Sequence, residues 1–111
     1  MRATIWHNPR CSKSREALAI LEAAGADVTI VEYLKVPPGA EELARLYAKA
    51  GMTARDGLRL AEPEAKPLRD ADEARILAAM AANPILIERP LIETAKGVRL
   101  GRPPEKVREI L

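Results

Sequence analysis

Ala3-Thr4-Ile5-Trp6-His7-Asn8-Pro9-Arg10-Cys11-Ser12-Lys13-Ser14-Arg15 joins a short apolar run to the start of a helical pattern, and it holds the only cysteine of the 111-residue chain. The run Ala3–Trp6 predicts a strand. From about Ser12 to Ala24, Leu18, Leu21 and Ala24 recur at helical spacing. Cys11 therefore falls at a helix entrance, where unpaired backbone N–H groups favour a negative charge and make a thiol easier to ionise. Lys13 and Arg15 add positive charge to the same turn. The same N–H groups that steady a thiolate can receive an oxyanion. The alternative is that Cys11 is simply a small buried hydrophobe, as free cysteines often are; its polar and basic neighbours favour reactivity.

Outward from this stretch, Gly25 stops the helix and Val28-Thr29-Ile30-Val31 supplies a second strand. A strand, helix and strand in that order make the two strands parallel, joined by a right-handed crossover. Beyond Pro37-Pro38-Gly39 the chain turns mainly helical over residues 38–84. Glu41 to Ala50 reads as a helix ended by Gly51, Thr53 caps a short one through about Leu60, Ala61 to Leu68 looks irregular, and Asp70 begins a third that Asn83-Pro84 closes. Leu91-Ile92-Glu93 and Val98-Arg99-Leu100, separated by a Gly-containing loop, read as a hairpin, and a last helix starts near Glu105. Several amphipathic helices need a sheet to cover, so one α/β domain over residues 1–111, a small mixed four-stranded sheet with flanking helices, is the expected fold.

Composition narrows the function. With 48% hydrophobic residues but no Phe, the core must come from Leu, Ile, Val, Ala and Met. Eighteen basic against sixteen acidic side chains leave a formal charge of +2, spread along the chain, so no polyanion partner is implied and any anion preference is local. One cysteine rules out an internal disulfide. The absence of a signal-like apolar segment and of any apolar stretch near about 18 residues leads us to expect a cytoplasmic protein with no membrane span. A structural metal is not expected, since His7 and Cys11 supply only two soft or borderline ligands. No nucleotide-binding glycine pattern or aromatic-interleaved basic patch occurs, so neither a bound nucleotide cofactor nor a nucleic-acid partner is expected.

The other chemistry-bearing residues lie at breaks. Arg59, Arg89 and Arg102 each sit near the end of an expected element. A guanidinium fork suits a tetrahedral oxyanion; each could equally be a solvated surface charge, and spacing alone does not bring them together. His7 can orient the loop or face the thiolate, or merely make a strand-end hydrogen bond. Asn8 can cap or brace the loop. Ser12 or Ser14 can donate to a thiolate or capture free helix N–H groups.

Taken as an ordered set, the loop His7 to Arg15, Tyr33-Leu34, Gly51-Met52-Thr53-Ala54-Arg55 through Arg59, Asn83-Pro84-Ile85-Leu86-Ile87-Glu88-Arg89-Pro90 and Gly101-Arg102-Pro103-Pro104-Glu105 resembles the arsenate reductase family of the glutaredoxin-dependent type, and its short arsenate-reductase-like branch in particular. The resemblance spans nearly the whole chain and implies a thioredoxin-like fold. It implies that Cys11 attacks arsenate, that Arg59, Arg89 and Arg102 cradle its oxygens, and that Pro90 is the cis proline beside the site. It matches His7 and Arg15 to the ends of the thiol loop. Glutathione then serves as external reductant and glutaredoxin as protein partner. Ser14 stands where a Cys-x-x-Cys loop has its second thiol, so the chain cannot resolve an intermediate with a disulfide of its own. Two other readings use the same residues: a glutathione-linked thiol oxidoreductase for another small substrate, and a non-catalytic protein-binding regulator.

Overall fold

The computed structural model describes residues 1–111. The chain runs β1 (Arg2–His7), α1 (Ser12–Ala23), β2 (Asp27–Glu32), α2 (Ala40–Ala50), α3 (Glu73–Ala82), β3 (Leu91–Thr94) and β4 (Gly97–Leu100). Four 3₁₀ segments, Arg55–Gly57, Pro63–Leu68, Pro84–Leu86 and Pro104–Ile110, complete it. The strands form one mixed sheet in the order β2-β1-β3-β4, with β1 and β2 parallel and the other pairs antiparallel. This is the thioredoxin-like α/β architecture.

Alternation along β1 explains why helices cover both faces. Successive side chains of a strand point to opposite sides. Ala3 and Ile5 join Ala17 and Leu21 of α1, Ile92 of β3, and Val107 and Ile110 in one cluster. Trp6 joins the other, larger cluster with Leu43, Leu46 and Tyr47 of α2 and Ile76 and Met80 of α3. A central strand covered on both faces carries apolar side chains on each, as β1 does with Ala3 and Ile5 on one and Trp6 on the other. On β3, Glu93 accepts from Arg45 Nη1 at 2.7 Å and Lys49 Nζ at 2.8 Å, both from α2. The Arg45 hydrogen bond first, with Lys49 beside it, holds the Glu93 carboxyl down to about 2.

The middle of the chain departs from its expected boundaries for identifiable reasons. The helix expected from Asp70 begins at Glu73, because the Asp72 side chain accepts the Arg75 N–H at 2.8 Å and caps it there. The helix expected from Thr53 to about Leu60 shrinks to the 3₁₀ turn Arg55–Gly57, since Leu58 turns extended and bridges Ile87. Residues expected to be irregular before Leu68, and the last helix expected near Glu105, are both 3₁₀. In each, buried residues three apart, Ala65 with Leu68 and Val107 with Ile110, stack on one side, as i and i+3 do in that geometry.

The Leu58–Ile87 bridge positions the functional residues. Arg59 N donates to Leu86 O at 2.8 Å and Glu88 N to Gly57 O at 2.8 Å, so Arg59 and Arg89 are drawn together from thirty residues apart. Gly57 permits this by lying flat against the fully buried Tyr47; an added Cβ there would overlap the Tyr47 ring. Gly57→Ala is therefore expected to destabilise the protein by about 1–3 kcal/mol through overpacking. A urea midpoint equal to that of the wild type would contradict this packing.

Candidate active site

Cys11 is the N-cap of α1, with extended backbone angles of φ −92 and ψ 122. Its own N–H donates to Asn8 O at 3.0 Å, closing the turn after β1. The sulfur thereby lies over the free end of α1. Burial pushes the thiol pKa up, but the Ser14 N–H, the Arg89 charge, the Lys13 N–H and Arg102 outweigh burial and leave it below the ordinary thiol value. Arg102 Nη1 stands 4.0 Å from Sγ and also donates to the Arg89 carbonyl at 3.2 Å. The residue is buried, 8% exposed, with a guanidinium against its sulfur.

Each supporting residue of the loop has a definite place. Ser14 is fully buried, accepts from the Asn8 N–H at 3.0 Å and lies 2.6 Å from His7 Nδ1. Burial, first, and the Arg15 charge lower the His7 pKa against the opposing effect of Glu32. The Ser14 oxygen thus hydrogen-bonds both the His7 ring and the Asn8 backbone. These two contacts brace the loop between β1 and α1. Asn8 Oδ1 accepts from Arg10 N at 3.0 Å, and Arg15 Nη1 donates to Pro9 O at 2.9 Å. Ser12 is exposed.

The β3–β4 hairpin delivers the other wall. Register pairs Leu91 with Leu100, so the residues flanking the two strands, Arg89-Pro90 and Gly101-Arg102, face each other. Gly101 N donates to Pro90 O at 2.8 Å, and a Cβ on Gly101 would meet Pro90 Cγ at 2.9 Å, so the approach requires glycine. The Arg89–Pro90 and Arg102–Pro103 bonds are both cis. Arg89 and Arg102 flank the sulfur. Arg59 stands further off: it pairs with Glu62 at 3.4 Å, and its charge is felt at the Tyr33 hydroxyl rather than at the thiol.

Sequence reasoning gave no role to two residues here. Tyr33 follows β2 at its carboxyl end, and its hydroxyl feels the charges of Arg89 and Arg59. Burial raises its pKa despite the two arginines. Position at the carboxyl end of a parallel strand, where open α/β sheets collect their ligands, was the available signal. Glu88 is the second: its carboxylate accepts from Arg89 Nη1 at 2.8 Å and lies 3.9 Å from Arg102 Nε. Buried polar atoms almost always find partners. Yet the Tyr33 hydroxyl, Arg59 Nε and Arg89 Nε are buried with none, and they are the protein's only such side-chain atoms.

An activated thiol at the entrance of the first helix, walled by guanidinium groups on a thioredoxin-like sheet, defines the class. The family model of the ArsC family matches residues 6–110, and the chain belongs to that family. It is 44% identical over 115 residues to an arsenate reductase of Rhizobium meliloti (strain 1021), covering all of this chain and 82% of that one. It is equally 44% identical to the uncharacterised protein YfgD of Escherichia coli (strain K12), covering 96% of this chain and 94% of that one. Among solved structures, an arsenate reductase from Vibrio cholerae superposes with a TM-score of 0.93 at 44% identity, covering 100% of this chain and 98% of that one. No helix is long and apolar enough to cross a membrane.

Proposed function

We propose that this protein is an arsenate reductase that works through a Cys11 adduct and draws its electrons from glutathione and glutaredoxin. The observation that carries this reading is the cationic wall beside an activated thiol: Arg102 against Sγ, Arg89 next to it with its Nε buried without an acceptor, and Arg59 further out with its Nε likewise unpartnered. An arsenate oxygen is the acceptor such donors lack, and proteins 44% identical to this chain are named as arsenate reductases.

In this mechanism Arg89 and Arg102 hold the oxyanion against the thiolate, with Arg59 on the outer side. Cys11 Sγ attacks arsenic and one oxygen leaves as water after protonation. The guanidiniums and the α1 N–H groups stabilise the charge on the oxygens as the bond forms. Glutathione displaces a second oxygen, placing two sulfurs on arsenic. A glutaredoxin thiolate then attacks the glutathione sulfur; the S–As bond pair passes to arsenic, taking it from As(V) to As(III), and a glutaredoxin–glutathione disulfide departs. Water cleaves the remaining S–As bond, releasing arsenite and Cys11. Both electrons come from outside because the chain has a single cysteine. This chemistry calls for a reducing, glutathione-rich setting, the cytoplasm.

Purified protein given arsenate, glutathione and glutaredoxin is expected to form arsenite, with turnover falling to background when either thiol partner is left out. No arsenite with all three present would overturn the reading. A glutathione-linked oxidoreductase for another small oxidised substrate would instead show Cys11 modified by oxidised glutathione but no arsenite.

A further inference from the structure

Glu88 is out of place in a site built only to attract negative charge. Its carboxylate sits between the two guanidiniums that flank the sulfur, 2.8 Å from Arg89 Nη1 and 3.9 Å from Arg102 Nε. It is held there from the backbone, since Glu88 N donates to Gly57 O at 2.8 Å within the Leu58–Ile87 bridge. The side chain is 22% exposed, enough for a bound molecule to reach it. A simple anion trap is weakened by such a group, because it cancels part of the arginine charge.

A carboxylate is an acceptor with no proton to give. Facing a bare anionic oxygen it repels; facing an O–H it forms a short charge-assisted hydrogen bond. Both effects grow where water is partly excluded. The arginines, by contrast, treat every tetrahedral oxyanion alike. We propose that Glu88 makes the pocket selective for oxyanions that keep a proton near neutral pH, by accepting the hydrogen bond of that proton. Hydrogen arsenate and hydrogen phosphate satisfy it; sulfate, with no proton left, places a charged oxygen against the carboxylate. Specificity then comes from an element that penalises the wrong ligand as well as one that rewards the right one. The inference rests on the oxyanion reading above and names what that site rejects.

Protection of Cys11 from iodoacetamide, followed by mass spectrometry at neutral pH and constant ionic strength, separates the possibilities with inorganic phosphate and sulfate as probes. In the wild type, phosphate is expected to protect at concentrations at least about tenfold below those of sulfate, a modest share of what hydrogen-bond discrimination reaches in fully closed sites. In Glu88→Gln the gap is expected to shrink below about threefold, mainly through stronger protection by sulfate, because the repulsion is gone. Glu88→Ala must move in the same direction. A gap unchanged in both variants, or a parallel weakening of both anions, would overturn the selectivity role and mark Glu88 as a support for the arginines only. Equal protection by both anions in the wild type would also overturn it while leaving the arsenate reading intact. Protection by neither would contradict both.

Discussion

Cys11→Ser lowers arsenite formation by at least about a thousandfold, to the rate seen without protein, because the hydroxyl cannot take over the role of the thiolate. The helix end, Arg89 and Arg102 together move a thiol below its ordinary pKa. An alcohol starts many units higher, and the same surroundings leave it un-ionised at neutral pH. The substitution keeps the volume and leaves the Ser14–His7–Asn8 brace untouched. The folded state and its affinity for phosphate, read by thermal melting with and without the anion, are therefore expected to change little. Loss of turnover with retained anion binding identifies sulfur as the reacting atom. Arsenite formation within tenfold of the wild type would show that it is not.

The second large effect falls on Arg102. Its Nη1 touches the thiol and the Arg89 carbonyl, and its Nε faces Glu88, so one side chain ties together the nucleophile and both ends of the anion wall. Arg102→Ala is expected to cut kcat/KM for arsenate about 10²- to 10³-fold, in the range for losing one preorganised donor at a developing oxyanion. It should also raise the pH at which Cys11 becomes reactive, because a group that favours the charged form of the thiol has gone. The sign follows from the shift: the thiolate persists below the ordinary thiol pKa in the wild type, and less of that range remains in the variant. Arg102→Lys is expected to restore the reactivity of the thiol more than the turnover, since an ammonium supplies charge without the planar fork. A variant with unchanged kcat/KM would remove Arg102 from the site.

The two halves of this site differed in how readable they were. Cys11 at a helix entrance follows from a strand and an amphipathic helix meeting at one residue, a local pattern of hydrophobic periodicity and polar flanks. The strand bounds of β1, β2 and the hairpin differ from expectation by only a residue or so at each end for the same reason. The arginine wall is different. Arg59 reaches Arg89 only through the Leu58–Ile87 bridge, two extended residues flanked by 3₁₀ turns, with no periodicity to announce them. Arg102 reaches Arg89 through hairpin register and the contact of Gly101 with Pro90. These are long-range pairings, and local propensity carries no record of them; there the resemblance to a family named the residues that the pattern could not unite. Glu88 and Tyr33 escaped notice because a single carboxylate or phenol beside a strand is ordinary until its neighbours are known.

Central to all of this is that the Cys11 thiol, set in a positive recess, ionises more readily than a free one. The most direct test is the rate of Cys11 alkylation by iodoacetamide as a function of pH. Reactivity should rise with a midpoint clearly below the value of about 8.5 for a free cysteine. A midpoint at or above that value would contradict the account.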